Sequence, residues 1–371
     1  MSRSVMKPTM TSTSLCLAIC CQVLGAVVTG CKSQQKVPPA IFMFGDGTLD
    51  VSNNNYLNYT DDWGEPNRAN HPYYGIDFPS SEPTGRFSNG YNIADFIAMA
   101  MGLDISPPAY LSLTSPISVK DFTGVNYASE GGRIWNYSIL VDDSEVTIPL
   151  PTQQDYFADT KAQMAPQLGN HPVGSKDIFH ISTITVRPRP INNTAYVSKL
   201  VTSFGASMET LYNEGARKFA VINIPPIGCA PEMRGKAVGR RSHQFGPGGC
   251  DETVNELAVE FNDGLKRLLY SLSSKLDGLR YSIGDFYSFS NGTFANPGAS
   301  GFANTSIACC KRPCDSQAAF QEPPCQNRTE YWFWDEEYIT EKAAKLAAAA
   351  FYDGPSKFTM PINFKKLIQR K

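Results

Sequence analysis

Short apolar runs that stop at turn residues recur along this chain and predict buried β-strands. Ile41–Phe44 is the first of them, and the glycine-flanked Asp46 follows almost directly. Residues 177–186, 216–224 and 279–283 have the same apolar and β-branched character. In open α/β sheets, ligands and catalytic groups lie beyond the carboxyl ends of the strands. The turn after the first run is therefore the first candidate site.

Apolar residues at helical spacing lie between these strand candidates. Residues 93–103 and 254–272 show that spacing, and an alanine-rich segment through Ala350 predicts a further helix. A helix is also expected to end at residues 211–215, just before the third strand candidate. Residues 67–89 are too rich in Pro, Gly and Asn for regular structure.

The composition fits a folded globular protein. Of its 371 residues, 42% are hydrophobic and 18% are charged, which allows one large domain or two ordinary ones with a sizeable core. The formal net charge of −2 gives no general attraction to polyanions. We therefore expect neither nucleic acid nor an anionic membrane surface as a partner.

The N-terminus has the layout of a secretory signal peptide. Arg3 and Lys7 precede a mostly apolar run from residue 15 to residue 28, and small residues follow at positions 29 and 30. The run is too short to cross a bilayer core of ~30 Å as a helix, which disfavours an uncleaved anchor. We predict a signal peptide at residues 1–30 and a secreted, extracellular protein without a membrane span.

Six cysteines follow the signal region, an even set that suits an oxidising compartment. Zinc is the alternative, but adjacent cysteines are poorly spaced as tetrahedral ligands and no histidine lies near residues 309–325. We therefore predict disulfides, whose pairing the sequence leaves open, and no metal site. The candidates are Cys229, Cys250, Cys309, Cys310, Cys314 and Cys325. Sequons for N-glycosylation stand at Asn58, Asn136, Asn192, Asn291, Asn304 and Asn327.

Several segments, in order, resemble the plant-type GDSL esterase/lipase family of secreted SGNH hydrolases. Residues 44–47 (Phe-Gly-Asp-Gly) resemble its first block, Phe-Gly-Asp-Ser, while residues 74–79, 225–231 and 333–341 match later segments. The resemblance covers nearly all of the chain after the signal region. It implies a three-layer α/β/α sandwich with a parallel, flavodoxin-like sheet in a single domain over residues 31–371. It also implies no cofactor, and a small acyl ester or acetylated carbohydrate as ligand.

The catalytic positions that the resemblance implies depart from the family. Gly47 stands where the family has its nucleophilic serine, and Tyr338 stands where it has the general-base histidine. The aspartate that orients this histidine is retained as Asp335. Glycine offers no nucleophile, and a phenol that titrates near pH 10 does not accept a proton at neutral pH as imidazole does. We therefore expect nucleophile and base to be lost together.

The segments that resemble oxyanion-binding blocks are altered as well. Gly131 best matches the glycine whose N–H binds the oxyanion, but Glu130 replaces a small residue beside it. Either this carboxylate repels the developing charge, or Gly131-Gly132 is an ordinary turn and Glu130 points to solvent. The family's Gly-x-Asn-Asp block is absent, because Val186 is followed by Arg-Pro-Arg-Pro.

Three functions stay open. The first is a pseudohydrolase that keeps a ligand-binding cleft. The second is an active carboxylic ester hydrolase on acyl lipids or acetylated carbohydrate that uses substitute residues, and the third is a structural extracellular glycoprotein. Among the cleft residues, Thr48 supplies the nearest hydroxyl, and Asp46 could pair with Asp335 for acid/base chemistry. His71 and His180 are interpreted as surface or core residues, and nothing in the sequence indicates an oligomeric state.

Overall fold

The apolar runs that predict buried strands form the centre of one sheet. The computed structural model of the protein describes residues 40–58, 67–135, 147–168, 177–182, 193–234, 249–317 and 322–370. The parallel strands of the sheet are β1 (Ile41–Phe44), β2 (Gly124–Asn126), β3 (Ile178–Ser182), β4 (Lys218–Ile222) and β5 (Arg280–Gly284). They lie in the order β2-β1-β3-β4-β5. All four predicted runs are therefore confirmed as strands, although residues 183–186 of the second run lie outside the described residues.

Helices cover both faces of this sheet. They are α1 (Ile93–Ala100), α2 (Leu150–Leu168), α3 (Asn193–Asn213), α4 (Glu252–Lys275), α5 (Phe286–Ala295), α6 (Glu341–Tyr352) and α7 (Phe364–Gln369). Successive side chains of a strand point to opposite faces. Phe42 and Phe44 accordingly enter a core with α2, α3 and α4, whereas Ile41 and Met43 enter a second core with α1, α5, α6 and α7. This arrangement confirms the predicted three-layer α/β/α sandwich.

Helix α1 is shorter than its apolar pattern. Its N-terminus is closed by a capping box, in which the Asn92 side chain accepts from the N–H of Asp95 and the Asp95 carboxylate accepts from the N–H of Asn92. Gly102 has a φ of 95°, and the N–H of Leu103 donates back to Ala98 O at 3.0 Å. A glycine in the left-handed region ends a helix in this way. Leu103 therefore continues the apolar pattern after the helix has stopped.

Two features of the sheets were not predicted. The short strand β8 (Thr359–Met360) adds to β5 in the antiparallel sense and closes that edge of the main sheet. A separate two-stranded parallel sheet joins β6 (Asn304–Ala308) and β7 (Tyr331–Phe333). The second sheet matters for the site, because β7 leads directly into Asp335.

All six candidate cysteines form disulfides, as predicted. The pairs are Cys229–Cys250, Cys309–Cys325 and Cys310–Cys314. Within the described residues, no group of His, Cys, Asp and Glu is arranged to hold a metal ion. The helices of the same residues include none with the length and apolar character to cross a membrane.

Residues from Pro38 to Lys371 form one compact unit. The predicted signal peptide at residues 1–30 lies outside the described residues, as do the sequons at Asn136 and Asn192. Of the other sequons, Asn58, Asn291 and Asn327 are exposed and Asn304 is half-buried.

Candidate functional site

The turn that follows β1 is held in place by a carboxylate and an amide. The Asp46 carboxylate accepts a hydrogen bond from the Thr48 N–H at 3.0 Å, which closes the turn locally. The Gln153 side chain of α2 pairs with Gly45 in both directions, accepting from its N–H and donating to its carbonyl, each at 2.8 Å. The two cleft residues predicted from the sequence, Asp46 and Thr48, therefore lie at the carboxyl edge of the sheet and take part in its turn.

Gly47 and Tyr338 face each other across this turn. Gly47 is buried, and a Cβ atom on it would lie 2.5 Å from Cζ and 2.8 Å from Cε1 of Tyr338, and closer still to the phenol oxygen. Real Cβ atoms essentially never approach other heavy atoms below 3.0 Å. The phenol thus takes up the space that any side chain at position 47 would need. The structure brings together two positions that are 291 residues apart.

The Tyr338 phenol is surrounded by carboxylates. Its hydroxyl lies 3.3 Å from Glu130 Oε1 and donates to it, and its ring packs against Phe87 with centroids 5.2 Å apart. Burial raises the pKa of Tyr338 well above 10, and the negative charges of Glu130, Glu337, Asp46 and Asp335 raise it further. The phenol therefore stays neutral at physiological pH and acts as a hydrogen-bond donor.

Glu130 points into this site, so the expectation that it faces solvent is wrong. It is 9% exposed, and its backbone N–H donates to Asp50 Oδ2 at 3.1 Å. Asp50 also accepts from the N–H groups of Ser52 and Asn53, each at 2.8 Å. Burial nevertheless raises the pKa of Asp50 to about 6. These bonds fix the backbone on which the Glu130 carboxylate is carried.

Gly131 lies in a turn, as one of the two interpretations expected. The N–H of Gly132 donates to Ser129 O at 2.9 Å, and Gly131 has a φ of 72°, where glycine is favoured. The N–H of Ser129 donates to Gly45 O at 3.1 Å, so this turn is fixed to the end of β1. The segment that resembles the oxyanion-binding block therefore lies beside Gly47.

Asp335 has a partner that sequence reasoning missed. Its Oδ2 accepts from the Tyr74 hydroxyl at 2.8 Å, and its Oδ1 accepts from the N–H groups of Glu337 (2.8 Å) and Tyr338 (2.6 Å). Asp335 is 8% exposed, and burial raises its pKa to about 6. Tyr74 belongs to a segment that was recognised only by its resemblance to the family. Nothing in its local pattern indicated a contact with a residue 261 positions away.

The described part of the structure places no histidine on Asp335. His71 stacks edge-on against Tyr74 with ring centroids 5.2 Å apart, and its Nδ1 lies 3.9 Å from Asp315 Oδ1. The side chain of His180, on β3, lies outside the described residues, as do residues 183–192 around the missing asparagine block. Among the described residues, Tyr74 and the backbone account for the hydrogen bonds to Asp335.

Comparisons with known proteins agree with this architecture. A family model described as "GDSL-like Lipase/Acylhydrolase" matches residues 41–351. The chain is 31% identical to "GDSL esterase/lipase At4g16230" of Arabidopsis thaliana, over 92% of this chain and 94% of that protein. It is also 31% identical to a "GDSL lipase" of Tanacetum cinerariifolium, over 96% of this chain and 97% of the relative. The chain therefore belongs to the GDSL-like lipase/acylhydrolase family.

Proposed function

We propose that this protein is a secreted pseudohydrolase, which keeps the esterase/lipase fold and a ligand-binding cleft but does not turn over esters. The proposal depends mainly on the contact between Gly47 and Tyr338. By resemblance, these are the positions of the family's nucleophile and base, and they do lie against each other. This contact supports the proposal, because neither a glycine nor a phenol could perform the family's chemistry there.

The chemical argument follows from the two side chains. Gly47 has no atom that could attack an acyl carbon. The neutral Tyr338 phenol donates to Glu130 and has its pKa raised, so it is a poor proton acceptor at neutral pH. In serine hydrolases, losing the nucleophile or the base costs on the order of 10⁶ in turnover and leaves roughly 10³–10⁴ over water. We expect the remaining rate to fall within the background of ordinary assays.

The position of Glu130 also supports the proposal, because it disfavours the stabilisation of an oxyanion. Its carboxylate lies next to the Gly131 turn and is directed at Tyr338, in the part of the site where a tetrahedral intermediate would develop negative charge. Oxyanion stabilisation needs donors at that point, and a carboxylate is repulsive there. The Glu130 carboxylate therefore disfavours the charged intermediate of hydrolysis, which is separate from the binding of a neutral ester.

The test uses the purified, secreted protein with a short-chain aryl acetate and a fluorophosphonate probe. We expect hydrolysis at the level of a heat-treated sample and no covalent labelling. An active plant GDSL esterase, assayed in parallel, shows that the conditions would detect turnover. Clear hydrolysis or labelling of the wild-type protein would overturn the proposal and favour an active hydrolase. In that case Thr48→Ala tests the nearest hydroxyl as a substitute nucleophile.

Binding separates a pseudohydrolase with a ligand from a structural glycoprotein. A ligand that binds only the folded state raises the melting temperature by mass action. We expect a concentration-dependent rise with an acyl ester or an acetylated sugar, and no rise with the free sugar at the same concentration. A melting temperature that responds to neither compound would favour the structural alternative.

Secretion is supported by the N-terminal pattern, the disulfides and the sequons together. Disulfides persist in oxidising compartments, and three exposed asparagines of the sequons, Asn58, Asn291 and Asn327, are accessible. Expression with residues 1–30 should deliver a processed protein to the medium, whose mass falls on treatment with a peptide N-glycosidase. Retention of the unprocessed chain inside the cell would contradict this part of the proposal.

A further inference from the structure

The atoms that obstruct position 47 belong to a ring, and this ring is fixed on two sides. Cζ and Cε1 of Tyr338 lie 2.5 and 2.8 Å from the Cβ position of residue 47. Phe87 packs against the same ring, and Glu130 accepts the hydrogen bond of its hydroxyl. The backbone of Tyr338 is held as well, because its N–H donates to Asp335 and its carbonyl accepts from Trp334 at 2.8 Å. The ring therefore cannot swing away without losing several contacts.

We infer that Tyr338 is a plug that closes the nucleophile position by packing, with Gly47 as its obligatory partner. The inference rests on the proposed function for the role of this site. The packing contact itself does not depend on whether the protein is active. Two consequences follow. A serine cannot be reinstated at position 47 while the phenol remains, and a ligand that enters the cleft meets the phenol and Glu130 instead of a hydroxyl.

A double-mutant cycle on folding stability tests the contact. Inserting atoms into a well-packed site commonly costs 1–3 kcal/mol, so Gly47→Ser should lower the folded-to-unfolded ratio by about 5- to 150-fold. In a Tyr338→Ala background the space is free, and the same change should lower the ratio by no more than about threefold. Gly292→Ser is the matched control, because a Cβ at this exposed glycine of α5 meets no atom within 4 Å. We expect that control to be near neutral in both backgrounds.

Rescue by a small molecule tests the plug without touching residue 47. Removing the ring in Tyr338→Ala leaves a space of the shape of a phenol, with Phe87 beside the ring position and Glu130 at the hydroxyl position. Cavities left by removing a large side chain bind small aromatic molecules. Millimolar phenol should raise the melting temperature of Tyr338→Ala by several degrees and leave the wild type unchanged. Tyr331→Ala is the control, since Tyr331, like Tyr338, is a half-buried tyrosine that packs against the cluster containing Tyr74, Phe87 and Trp334. If Tyr338→Ala does not fold, Tyr338→Leu replaces it in both experiments.

The results distinguish the plug from the proposed function. Equal effects of Gly47→Ser in both backgrounds, or a phenol response shared by Tyr331→Ala, would overturn the plug even if the wild type is inactive. Hydrolysis by the wild type would overturn the pseudohydrolase even if the cycle shows coupling. Coupling together with selective phenol rescue supports the plug.

Discussion

Removal of the Tyr74 hydroxyl tests how the retained aspartate is held. In Tyr74→Phe, the Asp335 carboxylate loses the side-chain donor that the described residues give it, a hydrogen bond of 2.8 Å, and keeps two backbone donors. A hydrogen bond to a charged group contributes about 1.5–3 kcal/mol, and its loss in a buried place is not compensated by water. For a chain of this length the unfolding entropy is ~0.8 kcal/mol/K. The expected fall in melting temperature at pH 8 is therefore ~2–4 °C.

The pH dependence of this loss is more specific than its size. The hydroxyl donates to the anionic form of Asp335, so its removal raises the folded-state pKa of Asp335 beyond about 6. The anionic form predominates above this pKa, and there the variant shows its full loss. As the pH falls through 6 towards 5, Asp335 becomes protonated, and the difference between wild type and variant should shrink.

Thermal unfolding at pH 5 and pH 8 measures both effects. Tyr73→Phe is the matched control, because Tyr73 belongs to the same cluster and no side-chain hydrogen bond of its hydroxyl occurs within the described residues. Its melting temperature should change by less than about 1 °C at either pH. A loss in Tyr74→Phe that equals the control, or that is the same at both pH values, would refute the assignment of Tyr74 as the partner of anionic Asp335.

Three further predictions concern the site and the fold. Gly47→Ser combined with Tyr338→His should raise hydrolysis of an aryl acetate above wild type by at least about tenfold, whereas either single change should not. If the double variant does not hydrolyse the ester, Glu130 or Val186 would be the remaining obstacle. The folded-state pKa of Asp335, about 6, exceeds its ordinary value of 3.8, so protonation favours the folded state. Relative to Asp335→Asn, the wild type should therefore gain up to ~3 kcal/mol of unfolding free energy as the pH falls from 7 to 4. A difference between the two proteins that does not change with pH would contradict this. Arg86 binds the buried carboxylate of Asp95 through two hydrogen bonds of 2.7 and 2.8 Å. Arg86→Met leaves this carboxylate without its cation and should lower the free energy of unfolding by about 3–5 kcal/mol. Lys266→Met, at an exposed ion pair, should change it by almost nothing.

Local patterns predicted the elements of this fold well. Strands β1, β4 and β5 and helix α4 lie within a few residues of their predicted bounds, because a continuous apolar run or a 3.6-residue period reflects burial directly. The antiparallel edge strand and the small β6–β7 sheet were missed. Strands β7 and β8 are only three and two residues long, and no residue of β6 is fully buried, so none of them forms a long apolar run in the sequence.

The sequence located the candidate site, but it did not reveal the side-chain contacts within it. Resemblance identified Gly47, Asp335 and Tyr338, and the structure places all three at one end of the sheet. The Tyr74 partner and the inward direction of Glu130 could not be read from the chain. Both are contacts between segments more than 200 residues apart, and the Glu130 side chain takes its direction from a backbone fixed by Asp50.

The positions at which, by resemblance, the chain departs from the family are in contact with one another, which supports the proposed function. A hydrolase that had merely lost its serine would keep an imidazole and an empty space beside it. Here the phenol fills that space, and Glu130 provides an acceptor for its half-buried hydroxyl group. Tyr74 in turn supplies Asp335 with a donor, and no histidine of the described residues does so. Gly47, Tyr338 and Glu130 thus meet packing or hydrogen-bonding needs created by one another, so these residues should be tested as a set.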